Sequence, residues 1–331
     1  MQKAKININT IVFMLIALAM FIMGISSLSS LANIKPATIN VDGQTKPVST
    51  VNAAGNEARI GETEYATLEE AFAAANEMKN TVENPLIIYC IAPEISIEST
   101  IEVKSGPTLV CEGTDVTITR NFDGYLWKLV SYGTGLRFGA STDDEFQLTI
   151  NGNNKAYPII NSSGFVRVNC GTFMGNSNSV ATVQSSEGGF AYIQSSENRI
   201  EIYGGTFKNF YATQGGVICS ASNNIDDAIV INGGHFINNK ANWGGVIMCT
   251  VQMKINGGTF ENNSAVVGGA IMRLAFGGYY DLMYITNGTF INNVATGDAT
   301  TQAGIGNDIF NIGSRFYCFG TKPPVVCVYY I

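Results

Sequence analysis

The feature that most constrains this chain is an internal repeat. Phenylalanine recurs after a Gly-rich turn at Phe173, Phe207, Phe236, Phe260 and Phe290, at separations of 34, 29, 24 and 30 residues. An asparagine stands three places after four of them, at Asn176, Asn239, Asn263 and Asn293. Position 210 carries Phe instead, with Asn209 beside it. Eight residues after three of the phenylalanines a glycine pair opens Gly-Gly-Val/Ala-Ile, at Gly215-Gly216, Gly244-Gly245 and Gly268-Gly269. Gly188-Gly189-Phe190 reads as a looser early copy and Gly297-Asp298 as a decayed last one.

A period of this length suits one turn of a solenoid, because a propeller blade needs about 40 residues. No single turn buries its own apolar face, so stability must come from stacked neighbours. The expected fold is all-β: a right-handed parallel β-helix. Phenylalanine and the Val/Ala-Ile pair point inward and stack on their copies. Glycine permits the positive φ of a corner. Asparagine tolerates the same corner, and its amide can bond to its stacked copy. At about 4.8 Å per turn, some nine turns make a rod roughly 45 Å long.

The rest of the chain organises around this array. Lys3 and Lys5 precede the uncharged apolar run Ile11 to Ile25. That run is short for a membrane span and suits a signal peptide over residues 1–32, cut after Ala32. The alternative is an uncleaved N-terminal anchor; no other membrane association is expected. Residues 33–57 lack an apolar period and read as a linker. The β-helix is expected over 58–315, with its clearest repeats at 165–312. Thr67 and Glu70 form a capping box, and Leu68, Ala71, Phe72 and Ala75 follow helical spacing. A short capping α-helix over 67–76 would cover the open first coil. Residues 316–331 read as a C-terminal cap or a truncated segment.

The paired motifs resemble the repeats of the chlamydial polymorphic outer-membrane proteins. They are carried by Phe236 with Asn239, Phe260 with Asn263, Gly244 to Ile247 and Gly268 to Ile271. Gly306-Asn307-Asp308-Ile309-Phe310 resembles the segment that closes such arrays. Ala58 to Ala71 is similar to the helical cap of pectin-lyase-like β-helices in bacterial surface proteins. The resemblance implies a secreted or surface-displayed, adhesin-type module without catalysis, whose partner is a host-cell surface protein or a glycan. Two alternatives stand beside it: a polysaccharide lyase or glycoside hydrolase on the same scaffold, and a structural stalk or truncated passenger of a larger surface protein.

Composition narrows the chemistry. The formal charge of −7 disfavours a nucleic-acid partner. A single histidine, His235, disfavours a His-based metal site or a Ser-His triad. His235 occupies a slot held by threonine in the other repeats and should point outward. A hydrolase would need two carboxylates about the scissile bond. The candidates are Asp143-Asp144-Glu145, Asp226-Asp227 and Asp281, the first two groups in expected loops. Trp127 and Trp243 could stack on sugars or fill the core. The seven cysteines include Cys90 and Cys111, one coil apart, and Cys318 and Cys327; buried thiols in stacked rows are favoured over disulfides. No catalytic residue, cofactor or metal ligand is expected; the repeat phenylalanines, asparagines and glycines are structural.

Overall fold

The computed structural model describes residues 38–41, 44–47, 55–78, 80–81, 83–194, 199–220, 229–274, 282–297, 306–312, 315–318 and 326–329. The expected signal peptide, its apolar run and its cut site lie outside them. Residues 1–55 and 56–331 are separate units. In the first, Thr38–Val41 pairs antiparallel with Gln44–Pro47. The expected linker therefore contains a hairpin. The sequence joining its strands, Asp42-Gly43, is a dipeptide favoured in two-residue hairpin turns.

In the second unit the chain winds through nine successive coils of a parallel β-helix. One sheet of eleven strands runs from the edge strand Thr63–Tyr65 to Arg315–Cys318. Another of eight runs from Glu94–Ile97 to Thr289–Ile291, and a third of nine from Ile101–Val103 to Val326–Tyr329. A fourth sheet of five strands begins only at Ser185–Glu187. Coils are in register, so each inward position becomes a continuous row. Ile95, Ile118 and Ile150 pair in sequence and lead into Phe173, Phe207, Phe236, Phe260 and Phe290. The five rings stack at centroid spacings of 4.7 to 5.0 Å, tilted by no more than 12°. The first four are fully buried, and Phe290 is half-buried.

The glycine pairs stand where the fourth sheet turns into the nine-stranded one. The first glycine has φ of 59°, 63° and 64° at Gly215, Gly244 and Gly268. The second is needed for space. A β-carbon on Gly216 would strike the Gly245 carbonyl oxygen, and one on Gly245 that of Gly269. The last copy of this corner is Gly306, with φ 73°, followed by Asn307 and Asp308. It is not the Gly297-Asp298 expected from the sequence; position 298 lies outside the described residues.

The asparagines divide two tasks that the sequence assigned to one. The left-handed corner is taken by the preceding residue, at Asn209, Asn238, Asn262 and Asn292, with φ between 52° and 60°. The following asparagines, Asn239, Asn263 and Asn293, are buried and form a ladder. Asn239 Nδ2 donates to Asn263 Oδ1 at 3.1 Å, Asn263 Nδ2 to Asn293 Oδ1 at 2.9 Å, and Asn293 Nδ2 to Asp308 Oδ1 at 3.0 Å. Asn176 is not in this ladder. Phe210 occupies the slot on the next coil and offers no amide, so Asn176 Oδ1 accepts from the Asn178 backbone N–H in a surface turn.

The N-terminal end is covered as the sequence suggests. The helix is Leu68–Glu77 with Thr67 as its N-cap, and it buries Leu68, Ala71, Phe72 and Ala75. Thr67 Oγ1 accepts from Glu70 N–H at 3.2 Å, while Glu70 Oε2 reaches the N–H of Ala66 rather than that of Thr67. Ala58–Ile60 pairs antiparallel with Ile87–Cys90 and with Thr63–Tyr65, which covers the sheet edge that the first coil exposes. At the other end Arg315–Cys318 and Val326–Tyr329 add parallel strands to their sheets. Within 316–331 the described residues 316–318 and 326–329 thus continue the solenoid.

Candidate functional site

Of the repeat residues, Phe173, Phe207, Phe236, Phe260, Asn239, Asn263 and Asn293 are buried, and the glycines shape corners. Trp127 is core too, fully buried between Phe72 and Phe138 at centroid distances of 6.4 and 5.3 Å. Trp243 is exposed on the fourth sheet. His235 faces outward beside Glu261, with Nε2 2.9 Å from Oε2. Of the carboxylate candidates, Asp144 braces its own turn, accepting from the N–H groups of Ala140 and Ser141 at 2.8 and 2.9 Å and from the Ser141 hydroxyl at 3.0 Å. Asp226, Asp227 and Asp281 lie outside the described residues. No cluster of His, Cys, Asp and Glu among the described residues could hold a metal ion.

The site with chemistry lies elsewhere, on the outer face of the eleven-stranded sheet. In the strands Gly135–Phe138, Phe165–Val168 and Arg199–Ile202 the aliphatic positions and Phe138 point into the core. Alternation then sends Arg137, Arg167 and Glu201 outward in one in-register line, and Phe165 and Arg199 in the next. Three of the chain's seven arginines are thereby brought together. They line a groove of about 580 Å³, bounded by the segment carrying Glu83 and Pro85 and by the bend at Gly139-Ala140.

Two of the arginines are already engaged. Arg167 donates from Nε and Nη2 to Glu201 Oε2 at 3.0 and 2.6 Å. Arg199 Nε lies 2.7 Å from Glu201 Oε1. The Tyr203 hydroxyl donates to the same carboxylate at 3.4 Å. The Glu201 carboxylate therefore lies between two guanidinium groups, with its side chain 7% exposed.

Arg137 differs. It is 8% exposed, yet its Nη1 is buried and meets no hydrogen-bond partner among the described residues. Its Cζ lies 5.4 Å from the centroid of the Phe165 ring, and that of Arg167 lies 5.2 Å from the same ring. Burial, and then the charge of Arg167, hold the Arg137 guanidinium below its ordinary range. A buried donor without a hydrogen bond is costly, so such a group is primed for an anionic partner.

The groove was not singled out from the sequence. Its signal was a basic residue at the outward position of successive strands, visible only once the register of coils of unequal length is known. No family model, no curated protein and no solved structure matches the chain. Among the described residues no helix is long and apolar enough to cross a membrane.

Proposed function

We propose that this chain is a non-catalytic, adhesin-type β-helix that binds a host-surface ligand, and that the arginine groove is its binding site. The observation that carries this reading is Arg137, a guanidinium with a buried, unmet donor in a polar groove. The rigid scaffold supports it, because stacked coils fix the outward residues without a loop having to order on binding. The resemblance of the repeats to those of chlamydial surface proteins points the same way, as does the N-terminal signal pattern for secretion.

Catalysis is the weaker reading. A lyase or hydrolase needs a carboxylate or another base able to take or give a proton at the scissile bond. Glu201 spends its charge on Arg167 and Arg199, and Asp144 spends its hydrogen bonds on its own turn. The test is a glycan array and a host-cell binding assay with the purified chain. Retention on cells or glycans, without cleavage of the bound glycan, is the expected result. Turnover of an acidic glycan, or no retention at all, would overturn the reading.

A further inference from the structure

We infer that the groove seats a carboxylate of an acidic glycan, with Arg137 as the residue that receives it. This rests on the binding reading above and names the chemistry of the ligand. A guanidinium offers five donors in a planar fork, which matches a carboxylate in two parallel hydrogen bonds. In Arg137 the buried Nη1 has no partner among the described residues, while its neighbours Arg167 and Arg199 are tied to Glu201. The Phe165 ring lies beside the guanidinium, 5.4 Å from Cζ to the ring centroid. The lining carries three arginines against two carboxylates, Glu83 and Glu201, so a single negative charge is the complement it lacks.

The rim favours a sugar over an acidic protein segment. Asn169, whose Nδ2 is tied to the Gly139 and Ala140 carbonyls, supplies its Oδ1 as an acceptor, Glu83 supplies a second acceptor, and Thr108 supplies a hydroxyl. Such a mixture suits the hydroxyls of a saccharide ring. A run of acidic side chains would instead meet Glu83 and a chain whose net charge is −7. The groove, about 580 Å³, is of a size to take one or two sugar rings.

The experiment uses the full chain on an array holding uronate- and sialate-bearing glycans, their carboxyl-reduced counterparts, sulfated neutral glycans and a polyglutamate peptide. Carboxylate glycans should be retained, with at least tenfold weaker binding after carboxyl reduction and in Arg137→Gln. Arg137→Lys keeps the charge but loses the fork and should fall between. Binding that is indifferent to carboxyl reduction or to R137Q, or that is confined to neutral glycans, sulfated glycans or polyglutamate, overturns the inference and leaves the binding function standing. Retention on host cells with no carboxylate glycan bound does the same. Absence of binding to every glycan and to cells overturns both. Should R137Q lose its native circular dichroism, the comparison of intact with carboxyl-reduced glycan on the unaltered protein decides alone.

Discussion

The side-chain amide of Asn263 donates to the carbonyl oxygen of Phe236, one coil back, at 2.9 Å. The relationship repeats from Asn239 to Phe207 at 3.0 Å and from Asn293 to Phe260 at 2.9 Å. It links the two halves of the repeat: the residue that fills the core also presents the carbonyl on which the ladder hangs. Asn263 Oδ1 further accepts from the backbone N–H of Asn239 at 3.0 Å and from its Nδ2 at 3.1 Å. Asn263→Ala strands these buried groups and should cost about 3 kcal/mol, since each unsatisfied buried polar group costs roughly 1 to 3. Asn176→Ala, in a surface turn, should cost about 0.5 kcal/mol or less. Urea unfolding of both variants checks the contrast, and equal losses would remove Asn263 from its role.

The phenylalanine row predicts a graded response. Phe236 lies between Phe207 and Phe260 at 5.0 and 4.8 Å and is fully buried. Phe236→Ala leaves a cavity that rigid neighbouring coils cannot close, so a loss of about 3 to 5 kcal/mol is expected. Phe290 is half-buried and stacks on Phe260 at 4.7 Å. Phe290→Ala should therefore cost distinctly less. Thermal unfolding of the two variants ranks them, and the reverse order would show that the core is not built on this stack.

The two reasons for glycine, a left-handed backbone and a close approach, can be separated by mutation at two different turns. Gly113 has φ 74° with open space around its missing side chain. An alanine there suffers only the left-handed backbone cost, about 1 to 2 kcal/mol. Gly245 carries no positive φ, but its added β-carbon would strike the Gly269 carbonyl oxygen and crowd Ser264. Both obstacles are backbone atoms of the adjacent coil, so the coils must separate to admit it. Gly245→Ala should thus destabilise more than Gly113→Ala in the same unfolding assay, and a smaller effect would count against this close approach.

What the sequence disclosed and what it hid follow from one distinction. Phe236, Gly244 and Asn263 were legible because each plays the same part in every coil, and repetition is visible without alignment of strands. The division of labour between Asn262 and Asn263 was not legible, because both are asparagine and only the backbone angle tells them apart. Phe210 was noticed as an exception, yet its consequence for Asn176 depends on which coil lies next to it. Arg137, Arg167 and Arg199 were hidden for a related reason. They occur once each in coils of unequal length, so no period brings them together; only the register Arg137 to Arg167 to Glu201 does.

The thiols give a pH-dependent test. Cys90, Cys111, Cys170, Cys219 and Cys249 are free and buried. Burial pushes Cys111 and Cys170 up to about 12 and Cys249 up to about 11, and raises Cys90 and Cys219 well above the usual range. An acid held above its unfolded value keeps its proton in the folded state. Its contribution is present below the ordinary thiol value near 9 and is lost as pH rises toward 11 to 12. Stability should fall across that window, and less so in Cys111→Ala. At pH 8 a thiol-specific reagent, with the labelled positions read by peptide mapping, should leave these five cysteines unmodified in the native chain and modify all five in denaturant. Rapid native labelling of any of the five would contradict the burial.

Arg120 offers the sharpest separation of charge from geometry. It is 2% exposed and lies where the second coil turns toward the nine-stranded sheet. Its Nη1 donates to the carbonyls of Gly124, Tyr157 and Pro158 at 2.8, 2.9 and 2.9 Å, and its Nη2 to that of Gly152 at 3.1 Å. These carbonyls belong to turns of two adjacent coils, so one fork ties the turns together. Burial lowers its pKa to about 10, which still leaves it charged at neutral pH. Arg120→Met preserves length and apolar bulk but leaves the carbonyls unmet, at a cost of about 3 to 5 kcal/mol. Arg120→Lys keeps the charge, yet a single ammonium cannot span carbonyls arranged for a fork. If geometry is what matters, lysine should recover less than half of the loss in urea unfolding. Recovery close to the parent would mean that charge alone holds the turns.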